Sequence, residues 1–138
     1  MPFQITKEWI IDIPTEFEHR VEEEKLIFWK AGTTVIAVVF SLPNNTGKIE
    51  LFTQIKEKFP EDILETFVST RGEIVGLGYT HVLETDEHKR LALVTFTASD
   101  TTCLQVGYYL DNPDDLAWAK SVWETIVFIP DGQTSRVE

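Results

Sequence analysis

Hydrophobic and polar positions follow the two-residue period of strands in the first part of the chain. Residues 9–13 are rich in β-branched and aromatic types. They end at Pro14, which has no N–H to donate to a sheet, so the pattern predicts a short strand. Strand-like runs follow at 25–30 and 33–40, and the Gly-containing turn between them predicts a hairpin. Because most of 33–40 is β-branched, we expect this strand to be buried on both faces and central in a sheet.

A helical period replaces the strand pattern after the loop at 43–47. Apolar residues then recur three or four positions apart, with Lys and Glu between them, at Ile49, Phe52, Ile55 and Phe59. This spacing predicts one amphipathic helix. Pro60 suits the first turn of a second, short helix. The apolar stripe of that second helix consists of Ile63, Leu64, Phe67 and Val68.

The second half of the chain repeats the change from strand to helix. Residues 73–83 and 91–98 have strand patterns and are joined by a polar turn. A further turn then places 91–98 against 103–110, in a register that sets Ala98 opposite Cys103. Both faces of this strand pair are largely apolar, so we expect the sheet to be covered, at least partly, on both sides.

A closing helix is predicted after Asn112. Asn caps helices well, and Pro113 is tolerated at the first helical position. The apolar stripe of this helix consists of Leu116, Ala119, Trp123, Ile126 and Val127. Trp118 lies well outside that stripe. The elements together predict an α+β fold with a mostly antiparallel twisted sheet and helices on both faces.

Length and composition are those of one folded domain. The chain has 138 residues, of which 43% are hydrophobic, and this is enough apolar material for a core. We expect a single domain over 1–138, in which 130–138 form a flexible tail.

The charge of the chain narrows the choice of partners. Twelve basic and 23 acidic side chains give a net charge of -11, and acidic residues outnumber basic ones in both halves. Binding to nucleic acid or to anionic membranes requires clustered Lys and Arg, so neither is expected. We expect the partner to be another protein, and a basic protein would suit the charge. A homodimer is an open alternative.

Cysteine usage and the N-terminal residues favour the cytoplasm. Cys103 is the only cysteine, which excludes an internal disulfide and a four-cysteine zinc site. The first residues lack the charged start and apolar stretch of a secretory signal. We therefore expect cytoplasmic localisation.

The residues that could carry catalysis are scattered. His19, His81 and His88 do not have the spacing of metal ligands. Cys103 opens a sheet strand, where a packed and inert thiol is expected. The segment Gly76-Leu77-Gly78 lacks the rest of a nucleotide-binding loop, so we interpret it as a bulge or tight bend. The sequence therefore predicts no catalytic residues, no cofactor and no metal site, and the protein is not expected to be an enzyme.

Four residues are candidates for partner contact. Trp118 falls outside the apolar stripe of its helix, and an exposed Trp is a common contact residue. Glu22, Glu23 and Glu24 form an acidic run that is typical of a solvated edge. We predict that these residues contribute to binding another protein through an acidic surface.

The order of the elements resembles a known fold family. Three parts of the chain are similar in order and in residue character to PsbP, to the bacterial DcrB-type proteins and to the yeast nuclear-import factor that binds the GTPase Ran. These parts are the opening strand at 9–14, the core strand at 35–40, and the strand at 106–110 followed by 123–128. This resemblance implies an α/β/α sandwich without catalysis that serves in binding or assembly. It contains no diagnostic motif, and it implies no functional residue.

Three functions remain open at the level of the sequence. The leading hypothesis is a non-enzymatic protein for interaction or assembly, and one variant of it is an immunity-like inhibitor of a basic partner. A second hypothesis is a small-molecule binding protein or enzyme with a pocket between sheet and helix, lined by Trp29, Tyr109 or Trp123. A third is a homodimer that buries Trp118.

Overall fold

A computed structural model describes residues 2–42, 46–72, 74–84 and 89–129. The expected turn at 86–88, which includes His88, and the expected tail at 130–138 lie outside these residues. The described strands are β1 Pro2–Gln4, β2 Trp9–Asp12, β3 Glu18–Glu22, β4 Lys25–Lys30, β5 Thr33–Ser41, β6 Glu65–Arg71, β7 Ile74–Glu84, β8 Lys89–Ala98, β9 Thr102–Leu110 and β10 Val127–Phe128. The described helices are α1 Lys48–Glu57 and α2 Leu116–Glu124, and a 3₁₀ turn at Pro113–Asp115 precedes α2.

The strands form two sheets in which all neighbours are antiparallel. The larger sheet has the order β3-β4-β5-β9-β8-β7-β6, and the smaller has the order β1-β2-β10. The predicted pairing of 91–98 with 103–110 is confirmed, since Ala98 lies opposite Cys103. The predicted α+β class with a mostly antiparallel sheet is therefore confirmed.

The main core lies on the first face of the large sheet, which we define by Val35, Leu93 and Tyr108. Helix α2 and the small sheet cover this face, and their buried side chains include Trp9, Ile11, Ala119, Trp123 and Ile126. Two indole nitrogens anchor the covering elements, because Trp9 donates to Thr102 over 3.0 Å and Trp123 donates to Thr97 over 2.9 Å. Burial of these large side chains, with their N–H groups satisfied, fixes α2 and β2 on the sheet.

Helix α1 packs on the second face of the sheet. Leu51 and Phe52 form a smaller buried cluster with Leu77, Ala98 and Cys103. A helix of ten residues is about 15 Å long. It therefore covers one end of the second face, and no other helix of the described residues covers the rest of that face.

The expected second helix is wrong, because residues 65–71 form β6. The apolar positions that suggested a helical stripe also fit a strand, in which Phe67 points to one face and the β-branched Thr66, Val68 and Thr70 point to the other. An unbroken register with β7 pairs Phe67 with Gly78. The ladder hydrogen bonds to β7 outweigh the weak helical preference of this short segment.

The expectation of a bulge or bend at Gly76-Leu77-Gly78 is also wrong. The register of β7 is continuous with both β6 and β8 at these positions. A Cβ atom at Gly76 would lie 2.9 Å from the Trp123 ring, and one at Gly78 would lie 3.1 Å from it. The two glycines therefore leave room for an indole that lies directly on the strand.

Two further expectations need correction. Strand β5 is an interior strand of the sheet, as expected, but only its Val35 face is buried, whereas Ile36 and Val38 on the other face are partly exposed. Val127 does not belong to the buried stripe of the closing helix, since α2 ends at Glu124 and Val127 is 47% exposed in β10. By contrast, the predicted Asn112 cap is confirmed, because its Oδ1 accepts from the Asp114 N–H over 3.0 Å.

Candidate functional site

The second face of the large sheet carries a contiguous apolar and aromatic surface beyond α1. We call it the open face and define it by six partly exposed residues: Trp29, Ile36, Val38, Tyr79, His81 and Tyr109. They come from β4, β5, β7 and β9, so the surface extends across most of the sheet.

Strand register explains why these side chains share one surface. Trp29 pairs with Thr34, and Thr34 pairs with Tyr109 on the next strand. Further along the same row, Ala92 lies between Tyr109 and His81. Side chains at paired positions point to the same face, so one row joins three rings across the sheet.

The Tyr109 ring bends over the neighbouring glycine of its own strand. A Cβ atom at Gly107 would lie 2.7 Å from the Tyr109 hydroxyl oxygen and 2.9 Å from two of the ring carbons. The absence of a side chain at Gly107 therefore lets the ring lie flat on the sheet. In this position the Tyr109 hydroxyl is directed toward the middle of the open face.

Two tyrosines and a histidine form a cluster on this surface. The Tyr79 ring contacts Phe59 at 4.5 Å and His81 at 5.4 Å between centroids. Burial, together with the nearby Tyr109, raises the pKa of Tyr79. Burial also raises the pKa of Tyr109, and Arg90 opposes that rise. Both hydroxyls therefore stay protonated at neutral pH and can donate hydrogen bonds.

Arg90 holds the backbone of Tyr109, which lies in the middle of the row. Its Nη2 donates to the Tyr109 backbone oxygen over 3.1 Å, and its Nε lies 2.8 Å from an Asp111 carboxylate oxygen. At the Trp29 end of the row, the Arg20 guanidinium lies 5.6 Å from the centre of the Trp29 ring. A cation in contact with a π face restrains the ring, so this end of the aromatic row is held.

A cavity of about 600 Å³ lies between the first face and the start of α2. We call it the Thr80 cavity. Its apolar walls consist of Leu64, Val82, Leu91, Pro113 and Leu116. Thr80 is 1% exposed, and its hydroxyl has no hydrogen-bond partner among the described residues.

The expected pocket residues lie on two different faces. By strand alternation Trp29 and Tyr109 belong to the open face, whereas Trp123 is buried in the main core beneath α2. None of these three residues lines the Thr80 cavity. A pocket between sheet and helix was one of the alternative hypotheses from the sequence. The residues of this cavity were missed because they come from strand ends and a loop without a shared motif.

The predicted contact residues lie in two separate places. Trp118 is partly exposed and stacks on Phe17, with 5.5 Å between the rings and an angle of 3°. It lines a depression of about 320 Å³ with Asp12 and Ser121. The structure therefore gives Trp118 a packing role beside any contact that it makes with a partner.

The acidic run lies at the turn between β3 and β4. Glu22, Glu23 and Glu24 are all exposed, and Glu22 forms an ion pair of 2.8 Å with Arg20. Glu24 lines a groove of about 460 Å³ with Phe3 and Val21, which is a different groove from the depression at Trp118. The four predicted contact residues therefore do not share one pocket.

Cys103 lies deep in the smaller core, as expected for a packed thiol. It is 0% exposed, and burial raises the pKa of the thiol to about 12. His19 is exposed and contacts Phe3 edge-on at 4.9 Å. Among the residues that the structure describes, no three His, Cys, Asp or Glu side chains come together in a possible metal site. Within the same residues, no helix has both the length and the apolar character to cross a bilayer.

Comparisons with solved structures support the fold resemblance. The solution structure of cyanobacterial PsbP (CyanoP) from Synechocystis sp. PCC 6803 is similar over 94% of this chain and 92% of that chain, with a TM-score of 0.70 and 13% identity. LpqN, described as involved in cell envelope biogenesis of Mycobacterium tuberculosis, is similar over 94% of this chain and 90% of its own, with a TM-score of 0.66 and 11% identity. The chain therefore has a PsbP-like fold.

A third structure, from Bacteroides thetaiotaomicron VPI-5482, has a TM-score of 0.71 and 11% identity. The similarity covers 91% of this chain but 46% of that chain, so the present chain spans about half the length of that protein. No family model matches the sequence, and no curated protein matches it.

Proposed function

We propose that the protein is a non-enzymatic interaction module that binds another protein through the open face. The observation that supports this proposal is that three partly exposed rings, Trp29, Tyr109 and His81, lie in one row on a sheet surface that α1 leaves uncovered. Aromatic residues in such patches supply much of the binding free energy in protein interfaces. Tyr and Trp also lose little conformational entropy on binding.

Charge supports a basic partner. The chain carries a net charge of -11, and strand β3, at the edge of the open face, presents the exposed Glu18 and Glu22. A protein with an apolar surface bordered by Lys and Arg would complement both features. An inhibitor that masks a basic enzyme or toxin is one form of this function.

Two finer points belong to the same proposal. We describe the layers as an α/β/α sandwich with an incomplete outer layer, because α1 packs near Leu77 and α2 packs near Gly76, on opposite faces of β7. We also place the interaction in the cytoplasm, where a chain with a single, buried cysteine needs no disulfide.

Site-specific photo-crosslinking in cells of the source organism tests the docking surface. A benzoyl-phenylalanine at position 38 or 81 places the reactive group on the open face, and we expect both positions to capture the same protein. The matched control is position 53, since Thr53 is exposed on α1. Equal capture from position 53, or no capture from the open face, would contradict the proposal.

Two more crosslinking positions distinguish the open face from the predicted contact residues. Position 121 reports on the depression beside Trp118, and position 24 reports on the acidic turn. With the captured partner purified, Trp29→Ala or Tyr109→Ala should weaken binding about tenfold or more, and Trp118→Ala should change it little. The reverse order would move the docking surface to α2 and overturn the proposal for the open face.

A further inference from the structure

The Thr80 cavity has opposite charges at its two ends. Glu65 is the direct cross-strand partner of Thr80, and Lys89 is paired with Glu84, four residues further along β7. At about 3.3 Å per residue, Thr80 and Lys89 are separated by roughly 13 Å along the strand. Glu65 and Lys89 both line the cavity.

The space between these ends is apolar. Val82 and Leu91 are paired and form the floor, while Leu64 and Leu116 form walls on either side. Leu64 is 60% exposed, although its backbone is held by a hydrogen bond of 2.8 Å from its N–H to the backbone oxygen of Thr80. An elongated apolar chain would cover this leucine and fill the floor.

Each end of the cavity has a polar group that can contact a ligand. Among the described residues the Thr80 hydroxyl is buried without a hydrogen-bond partner, and a buried polar group in this condition carries a free-energy cost. Lys89 is exposed at the mouth, next to the Arg90–Asp111 ion pair. A carboxylate is therefore favoured at the Lys89 end, and a neutral hydrogen-bond donor is favoured at the Thr80 end, where Glu65 would repel an anion.

We propose that the Thr80 cavity binds an elongated aliphatic carboxylate that carries a hydroxyl group at its far end. The carboxylate lies at Lys89, the chain lies on Val82 and Leu91, and the ligand hydroxyl donates to the side-chain oxygen of Thr80. This site is separate from the open face and goes beyond the proposed interaction function.

Calorimetric and NMR titration of the full chain with three matched compounds tests this assignment. The probe is 8-hydroxyoctanoate, while octanoate lacks the hydroxyl group and 1,8-octanediol lacks the carboxylate. We expect 8-hydroxyoctanoate to bind about threefold to tenfold more tightly than either control. The largest amide shifts should fall on Leu64, Thr80 and Leu91.

Two variants separate the contributions of the two ends. Thr80→Val is close in shape and should abolish the preference for 8-hydroxyoctanoate over octanoate without unfolding the protein. Lys89→Gln should weaken both acids about twofold to fivefold and leave the diol unchanged. Lys58→Gln, an exposed lysine at the end of α1, is the matched control and should change none of the affinities.

Three results would overturn the proposal. They are equal affinity for the three compounds, amide shifts located on the open face, and no binding up to the solubility limit of 8-hydroxyoctanoate. A preference that persists in Thr80→Val would also reject the assigned role of that hydroxyl. Protein docking at the open face does not require a ligand in the Thr80 cavity, so the two proposals fail independently.

Discussion

Two glycines of β7 determine how closely α2 approaches the sheet. The Trp123 ring lies directly on Gly76 and Gly78, and its N–H is bound to Thr97. A methyl group at Gly76 would collide with a ring that packing and a hydrogen bond hold in place. Overpacking of this kind costs about 1–3 kcal/mol, which exceeds the gain of roughly 0.5–1 kcal/mol from replacing a strand glycine.

We therefore expect Gly76→Ala to lower the free energy of unfolding, as measured by urea denaturation. A double-mutant cycle with Trp123→Phe provides the control, because the smaller ring leaves space for the added methyl group. The penalty of Gly76→Ala should shrink in that background. A penalty of unchanged size would show that the indole does not cause it.

Thr80 and Thr97 form a matched pair of buried hydroxyls with opposite roles. The Thr80 hydroxyl has no partner among the described residues, whereas the Thr97 hydroxyl accepts the Trp123 N–H. Thr80→Val should raise the free energy of unfolding by about 1–2 kcal/mol, because it removes an unsatisfied polar group. Thr97→Val should lower it by about 1–3 kcal/mol, because the indole N–H loses its acceptor. Urea denaturation of both variants gives the signs, and destabilisation by Thr80→Val would mean that its hydroxyl has a partner.

Cys103 gives the stability of the protein a defined dependence on alkaline pH. Burial raises the pKa of its thiol from 9.0 to about 12, so the folded protein keeps the proton while the unfolded chain loses it. The stabilisation from this group is fully present below pH 9 and is lost as the pH rises from 9 toward 12. We expect the urea midpoint of the wild-type protein to fall over this range. The midpoint of Cys103→Ala should fall less, because the thiol is absent, but it should still fall because the buried tyrosines remain.

At pH 8 a thiol reagent should label Cys103 only in the unfolded protein, and labelling at the same rate in native buffer would contradict its burial.

At the scale of elements, the turn between β3 and β4 carries strain in the acidic run. Glu23 and Glu24 have φ of 48° and 69°, and a two-residue hairpin turn with two positive φ values prefers Asn-Gly. A non-glycine residue in this region costs about 1–2 kcal/mol. The double change Glu23→Asn and Glu24→Gly should therefore raise the free energy of unfolding by about 1–2 kcal/mol. Glu57→Gln removes one exposed charge without touching the turn and is the control, and an equal gain there would attribute the effect to charge.

The elements of the fold show which parts of the structure can be predicted from the sequence. The pairing of 91–98 with 103–110 and the Asn112 cap were predicted correctly, because turns and caps depend on neighbouring residues. Strand β6 was predicted as a helix, since its short apolar pattern fits both periods and only its pairing with β7 selects the strand. The glycines of β7 gave no local sign that an indole 45 or more positions away would lie on them.

The candidate surfaces depend on long-range packing in the same way. The alternation of side chains along the strand predicted that Tyr109 and Tyr108 lie on opposite faces, and the register confirms this prediction. Whether Tyr109 is covered depends on where α1 lies, and no residue in β9 encodes this. The Thr80 cavity likewise combines β6, β7, β8 and the start of α2, whose mutual positions a local pattern does not contain.

At the scale of the whole molecule, the net charge of -11 is spread over both halves of the chain, and we expect it to act on the approach of the proposed partner. Steering by such a field accelerates association with a basic protein and is screened by salt, with a Debye length of about 30 Å at 0.01 M and about 10 Å at 0.1 M. The open face consists mostly of apolar and aromatic groups, which act after contact and are less sensitive to salt.

With the partner identified by crosslinking, we expect the association rate constant to fall by about tenfold or more when the ionic strength is raised from 0.01 M to 0.1 M, while the dissociation rate constant changes little. Tyr109→Ala should show the opposite behaviour, with faster dissociation and an unchanged response of association to salt, in stopped-flow measurements of both rate constants. An association rate that is the same at both salt concentrations would remove charge from the recognition mechanism and leave the aromatic surface as its sole basis.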